Sequence, residues 1–380
     1  MIYLDYASTT PLLKEVKEAM IKAMDVYGNP SNGYTLSDGS RQILEDCRQV
    51  LSERLNGFDG RFIFTSGGSE ANTTAIMGSS VDTIFYNPTE HDSTINAIQN
   101  FHYRNGMTIK KLIVNNEGIV DIGNLEAMLE NASELGSILI SVMMVNNETG
   151  AKNDIKTICE IVHQYDCAVH CDMVQALPHC QIDLDDLGVD YATFSAHKIG
   201  GPKGVGALWI RNGYDLRSTI FGGKQEFGLR GGTENIIGIA GFEAAIESLD
   251  VVDLENKAIE LRTTLFENLK NKNIEYISNS PIDPQKRTNA IINISIPRLH
   301  GDSTVIALDQ FSKIFVSTAS ACSMSGKSYV LKEMGLSDDR IASALRISFG
   351  PNTTSDEVVK FVEELAKVYV VFGGGSNENG

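Results

Sequence analysis

Short apolar runs punctuate the first half of this chain, and several break into small or polar residues at their carboxyl ends. Residues 61–64 run into Thr65-Ser66-Gly67-Gly68-Ser69-Glu70, and residues 137–145 into Asn146-Asn147-Glu148-Thr149-Gly150. Residues 168–170 run into Cys171-Asp172, and residues 192–194 into Ser195-Ala196-His197-Lys198. Residues 82–86 and 206–210 are further runs, and helical patterns such as 154–165 separate several of them. Strands alternating with helices predict an α/β fold: a mainly parallel sheet with helices on both faces. Ligands of such sheets sit beyond the carboxyl ends of the strands. The Ser69, Asp172 and Lys198 segments all fall on that edge.

Helices are also legible by period. Pro11 opens one, with Val16, Ala19, Met20, Ala23, Met24 and Tyr27 along one face and Gly28-Asn29-Pro30 as its stop. Ile43, Leu44, Cys47, Leu51 and Leu55 mark a second. A long helical region spans 236–270. After Lys272 the texture changes, with strands at 290–296 and 314–317 and helices at 328–334 and 355–370. This predicts a second, smaller α+β domain. A chain of 380 residues, 42% hydrophobic, is long enough for both cores.

Composition excludes several classes. A formal net charge of −17 and the lack of a basic run argue against nucleic-acid binding. No uninterrupted apolar stretch is long enough to span a membrane. The opening MIYLDYASTT lacks the regions of a signal peptide. A cytoplasmic location with reduced thiols is therefore expected. Six cysteines in a chain this long are not a disulfide framework. Cys167 and Cys171 flank His170, but no second pair follows at zinc spacing, so no metal site is expected.

The candidate chemistry centres on Lys198. A lysine at a strand end, amid small residues and beside a histidine, can form a Schiff base with an aldehyde cofactor; a buried, salt-bridged lysine is the plainer reading. Asp172 could face a pyridinium nitrogen and keep it protonated, or simply cap a helix. Gln175, three residues on, could donate to a ring oxygen. Gly68 and Ser69 could hold a phosphate on a helix N-terminus, although a serine-capped turn has the same look. Ser195 and His197 flank the lysine and could also bind phosphate. His91 could stack on a flat ring or move protons, or be a polar helix-start residue. Asn147 lies in a polar turn past an apolar strand. Arg346 is a lone charge in an apolar segment, which calls for a carboxylate partner from the protein or from an amino-acid substrate. Cys322 lies in Ser320-Ala321-Cys322-Ser323-Met324-Ser325-Gly326, among small residues, and could present a thiolate.

Taken in order, these segments resemble the cysteine desulfurases of the NifS/IscS type, within the class V aminotransferase group of fold-type I pyridoxal-phosphate enzymes. The resemblance starts at Tyr3-Leu4-Asp5-Tyr6-Ala7-Ser8-Thr9-Thr10 and continues through Tyr27 to Ser31, Thr65 to Ala71, Glu90-His91 and Asn146 to Gly150. It then takes in His170 to Ala176, Ser195 to Gly206, Arg230-Gly231-Gly232-Thr233-Glu234-Asn235, Ser320-Ala321-Cys322 and Arg346 to Gly350. It implies a PLP-dependent transferase fold of type I, with a mainly parallel seven-stranded sheet in the large domain. The resulting division is 15–250 for the large domain, 1–14 and 251–372 for the small domain with the Cys322 loop, and 373–380 for a disordered tail.

The resemblance also implies pyridoxal 5'-phosphate as cofactor, Lys198 as its Schiff-base lysine and His91 stacked on its ring. Asp172 would meet the ring nitrogen and Gln175 the phenolic oxygen. Gly68, Ser69, Ser195 and His197 would hold the phosphate. Thr233 would reach it from the partner subunit of a homodimer. Asn147 and Arg346 would bind the carboxylate of L-cysteine. Cys322 would take its sulfur as a persulfide and pass it to an acceptor protein, for iron–sulfur assembly or another pathway. The sequence departs from the family in three places. The link from Cys322 to Ser328 is shorter, Lys224 stands where a glycine is usual, and Gly232 replaces a serine. Other class V chemistry (selenocysteine lyase or aminotransferase) and a non-catalytic sulfur-transfer partner are the alternatives.

Overall fold

The computed structural model describes residues 1–318 and 328–373. Its main sheet has seven strands in the order Gly60–Thr65, Gly206–Arg211, Tyr191–Ser195, Ala168–Asp172, Ile138–Ser141, Thr83–Tyr86, Thr108–Lys111. Gly206–Arg211 runs antiparallel to both neighbours, and the other pairs are parallel. The strands before Ser69, His91, Asn147, Asp172 and Lys198 therefore all end on one edge. Gly206 is required where that edge meets the Gly67 turn: a Cβ there would lie 2.8 Å from the Gly67 Cα.

Alternation along the strands builds two cores. Phe62, Phe64, Phe85, Ile140, Val169, Phe194 and Trp209 face one side. Ile63, Ile84, Leu139, Leu208 and Ile210 face the other. Helices Lys14–Ala23, Asp38–Leu55 and Ile236–Glu247 contribute to the first layer, and Gly68–Gly78 and Asp92–Asn105 to the second. Each large apolar side chain fully buried this way contributes roughly 1.5–3 kcal/mol.

The first helix begins at Lys14, not at Pro11. Residues before it are held extended, with the Leu13 N–H donating to the Gly200 carbonyl at 3.0 Å. It ends at Ala23, so Met24 and Tyr27, expected on its buried face, are exposed. The expected strand 137–145 is shorter, Ile138–Ser141. The long helical region breaks at Ser248–Asp250, where the Asp250 carboxylate accepts from the Asp253 N–H and caps a new helix, Val251–Asn271.

Cores change at that break. Leu261, Leu265 and Leu269 pack with Leu4, Ile292, Ile294, Ile347 and Phe361 in a separate cluster. Its strands are Ala344–Ser348, Ile291–Ser295 and Ile277–Ser278, paired antiparallel in that order. Ile2–Tyr3 pairs with Ile314–Phe315, so the chain begins in this cluster and then crosses to the main sheet. The last helix, Ser355–Gly373, takes in the first residue assigned to the tail. The rest of that tail and Cys322 lie outside the described residues.

Among the described residues no helix is long and apolar enough to cross a membrane. His170 and Cys171 are buried strand residues. The His170 Nδ1 lies 3.0 Å from the Ser141 Oγ and its Nε2 lies 3.2 Å from the Thr193 Oγ1, and burial pushes its pKa down to about 4.

Candidate active site

The carboxyl edge of the main sheet, the small sheet and the N-terminal segment enclose a cleft of about 240 Å³. Gly68, Ser69, His91, Asn147, Asp172, Gln175, Ser195, His197, Lys198 and Arg346 all line it. Chain positions from 68 to 346 thus converge on one space. Thr233 does not line it. It is exposed in the turn after Arg230, and the Arg230 guanidinium binds the Glu70 carboxylate at 2.8 Å. That pair ties the turn to the first turn of helix Gly68–Gly78.

The helix Gly68–Gly78 starts without a side-chain cap. Its first N–H groups, including those of Gly68 and Ser69, have no intrahelical acceptor, which suits an anion. Gly67 has φ 151°, a conformation that favours glycine. A Cβ on Gly68 would meet the Val174 Cγ2 at 2.8 Å, so a bare backbone is needed beside that wall of the cleft.

Asp172 ends its strand almost fully buried. Its Oδ2 accepts from the Asn72 amide at 2.7 Å and its Oδ1 from the Val174 N–H at 2.9 Å. Two donors hold the carboxylate in place. His91 caps helix Asp92–Asn105. Its Nδ1 accepts from the Ser93 N–H at 3.1 Å and pairs with the Ser93 Oγ at 2.8 Å, which puts the ring proton on Nε2. Burial is the main cause that lowers the His91 pKa; Asp172 opposes it and Lys198 adds to it. His197 is pushed down to about 4 by burial and by Lys198. Both imidazoles are therefore neutral near pH 7.

The N-terminal segment fixes the lysine. The Lys198 Nζ donates to the carbonyls of Ala7 at 2.6 Å and Ser8 at 2.8 Å. The Gln175 Nε2 donates to the same Ala7 carbonyl at 2.7 Å. The His197 Nδ1 lies 3.1 Å from the Thr9 Oγ1, and the Thr10 hydroxyl donates to the His197 carbonyl. These backbone partners come from about 170 to 190 positions away in sequence. Nothing in the local sequence marks Ala7 and Ser8 as site residues.

Arg346 resolves one alternative left open by the sequence: its carboxylate partner within the protein is Asp5, at 2.8 Å. A second guanidinium nitrogen donates to the Asn147 carbonyl at 3.0 Å. Among the described residues the Arg346 Nε and the Asn147 Oδ1 are buried and find no hydrogen-bond partner. Buried polar atoms are seldom left so, and these belong to two residues of the cleft lining.

Glu148, Ser328 and Tyr329 also line the cleft. The Ser328 hydroxyl donates to the Glu148 carboxylate and the Tyr329 hydroxyl to the Glu90 carbonyl. A buried carboxyl next to Asn147 was readable only as part of a polar turn.

The donor set fits a phosphorylated pyridine aldehyde. An amine, a doubly anchored carboxylate, a neutral imidazole, two hydroxyls and uncapped helix N–H groups surround one cavity, and unpartnered amide and guanidinium atoms remain for a substrate. The family comparison agrees. Residues 2–361 match the aminotransferase class-V family. A cysteine desulfurase IscS of Clostridium botulinum is 35% identical over 97% of this chain and 94% of its own length. A NifS-like protein from Rickettsia africae has a TM-score of 0.88 at 31% identity, covering 97% of this chain and 99% of that one. A structure of SspA in complex with cysteine has a TM-score of 0.80 at 28% identity, covering 93% and 100%. Architecture and cleft define an enzyme of the PLP-dependent transferase fold, type I. Within that class the chain belongs to the aminotransferase class-V family.

Proposed function

We propose that this protein is a cysteine desulfurase that converts L-cysteine to L-alanine and takes the sulfur onto Cys322 as a persulfide. The carrying observation is the convergence of Lys198, Asp172, His91, Asn147 and Arg346 on one cleft. The similarity to proteins named cysteine desulfurase supports the choice of substrate.

Pyridoxal 5'-phosphate, when bound, supplies a carbonyl for amine exchange and a ring that absorbs the electron pair released at the substrate Cα. Lys198 would hold that carbonyl through its amine and, as a free amine, would be the base that takes the Cα proton. The Ala7 and Ser8 carbonyls hold the Nζ in position for both duties. Asp172, fixed by Asn72 and Val174, keeps the ring nitrogen protonated. His91 would lie against the ring, with its Nε2 proton available to the reacting groups. The first-turn N–H groups of Gly68 and Ser69, with Ser195 and His197, take the phosphate. Gln175 serves the phenolic oxygen through the amide hydrogen not used by Ala7.

The Arg346 Nε and the Asn147 side chain bind the substrate carboxylate. The Cys322 Sγ then attacks the substrate sulfur: an S–S bond forms, the Cβ–S bond breaks, and a proton completes the methyl group of alanine. The acceptor of that sulfur is another protein, for iron–sulfur assembly or a second sulfur pathway. We place the enzyme in the cytoplasm, as a homodimer in which Thr233 of the partner subunit completes the phosphate site. We also read the chain as a large domain, 15–250, and a small one formed by 1–14 and 251–372. Support for that division is the break at Ser248–Asp250 and the change of core across it.

The test is a Cys322→Ser variant supplied with L-cysteine. It should still bind the substrate and perturb the cofactor spectrum, because Lys198 and Arg346 are intact, but fail to release alanine at a useful rate. In the parent protein, peptide mass spectrometry should find the extra sulfur on Cys322. Full alanine production by the variant, or a keto-acid requirement in the parent, would move the reading to another class V activity.

A further inference from the structure

The turn that carries Asn147 has a second side chain in the cleft. Glu148 lines the same cavity as Arg346 and is almost fully buried. Three elements meet it. From the helix Tyr329–Glu333, the capping Ser328 donates its hydroxyl to the Glu148 Oε2 while accepting from the Leu331 N–H. From the strand Ile291–Ser295, the Asn293 amide donates to the Glu148 carbonyl at 3.2 Å. From the strand Ala344–Ser348, Arg346 binds the neighbouring Asn147 carbonyl. The charged groups that act on the carboxyl are Arg346, which favours its ionised form, and Asp92 at the start of helix Asp92–Asn105, which opposes it. Asp5 already takes one side of Arg346.

We propose that Glu148 is a positioning residue that sets how strongly the cleft holds the substrate carboxylate, through the charge it places beside Arg346. Protonated, it leaves Arg346 balanced by Asp5 alone, with the Nε donor free to take an anion. Ionised, it adds a second negative charge to the pocket in which a carboxylate must sit, and it draws on the same guanidinium. Affinity for an amino acid should therefore fall as Glu148 ionises. Burial raises its pKa to about 7; the Ser328 hydrogen bond and Arg346 limit the rise. The change thus falls near neutrality. Burial lowers the His91 pKa and takes that of His197 to about 4, so both move to the acid side of this change.

This inference rests on the proposed amino-acid substrate, and the experiment separates the two. L-Alanine, which has no thiol to titrate, is bound to the holoenzyme between pH 5.5 and 8.5 (about three units around neutrality), and its affinity is read from the cofactor spectrum. Relative to Glu148→Gln, the affinity of the parent protein should drop about tenfold or more across pH 7. Glu148→Gln keeps the shape and cannot ionise, so it carries the pH dependence of the alanine amine and of the cofactor without that of Glu148. Ser328→Ala, by removing a donor to the carboxylate, should move the midpoint upward.

A second readout uses the protein without cofactor. A carboxyl whose pKa is raised on folding contributes stability that is complete below its unfolded value, about 4.5, and is lost as pH rises through about 7. The parent should lose melting temperature across that window relative to Glu148→Gln. If alanine binds with the same pH profile in both proteins, or the two melting curves run parallel from pH 4.5 to 7, the assignment of Glu148 is overturned while the desulfurase reading stands. If no amino acid binds at any pH, both are overturned.

Discussion

Replacing Arg346 by lysine tests the substrate end of the cleft and the logic of its unpartnered atoms together. The guanidinium spans two acceptors, the Asp5 carboxylate at 2.8 Å and the Asn147 carbonyl at 3.0 Å, and keeps its buried Nε for a ligand. An ammonium is a point charge on a flexible stem and cannot serve all three directions. If it keeps the Asp5 ion pair, the fold loses one hydrogen bond to the Asn147 carbonyl, worth about 1 kcal/mol. In a chain of this length that lowers the melting temperature by only about 1 °C.

The substrate loses more. A charge-assisted hydrogen bond to its carboxylate is worth about 1.5–3 kcal/mol, or roughly tenfold to a hundredfold in affinity. That loss should appear mainly in KM for L-cysteine, since the contact is made before and during the chemical step alike. Initial-rate kinetics of alanine release, with a melting curve on the same preparation, give both quantities. A KM within about twofold of the parent, with the cofactor still bound, would refute the carboxylate role of Arg346. A large drop in melting temperature with unchanged KM would make the residue purely structural.

Three further outcomes are expected. Lys198→Ala should lose the visible absorbance of the bound cofactor and the borohydride-trapped label on its peptide; a label retained on another lysine would refute the assignment. Gly68→Ala forces a Cβ to within 2.8 Å of the Val174 Cγ2, and overpacking of that kind costs about 1–3 kcal/mol. The variant should lose cofactor on gel filtration far more readily than the parent, and equal retention would show that the phosphate lies elsewhere. Dilution to monomers should lose cofactor and activity together, because Thr233 lies outside its own cleft; an active monomer by light scattering would sink the shared-site reading.

Sequence pattern was most informative where chemistry and secondary structure coincide. A strand that ends in Asp172 or in Ser195-Ala196-His197-Lys198 announces both the sheet and the functional edge, because the period-two apolar run stops where the polar residues begin. The edge strand Thr108–Lys111 escaped notice: it is short, lysine-rich and half exposed, so burial never imposed an apolar pattern on it. The length of the first helix was misjudged for a related reason. Met24 and Tyr27 continue the helical period but face outward beyond Ala23, and an apolar period alone does not say whether a face is covered by this chain. What stayed hidden altogether was long-range pairing. Asp5 is unremarkable among 49 acidic residues until Arg346 meets it, and Ala7 and Ser8 act through backbone carbonyls that any residue would supply.

The charges around the cleft explain why those hidden partners matter. Among the described residues lining it, the cations are Lys198 and Arg346, since burial leaves His91 and His197 neutral near pH 7. The Ala7 and Ser8 carbonyls that accept from Lys198 are neutral, so giving up these two bonds strands no negative charge on them, which would cost several kcal/mol. Arg346 is held by a carboxylate and so stays fixed. The lysine that must move gives up carbonyl acceptors, and the arginine that must orient keeps a carboxylate. The two carbonyls on Lys198 and the carboxylate on Arg346 come from residues 5–8, the stretch that leaves the small core at Leu4 and bonds to His197 at Thr10. Displacing that short crossing would take the Ala7 and Ser8 carbonyls from the amine, the Ala7 carbonyl from Gln175 and the Asp5 carboxylate from the guanidinium together. The first ten residues are thus part of the active site as well as of the fold.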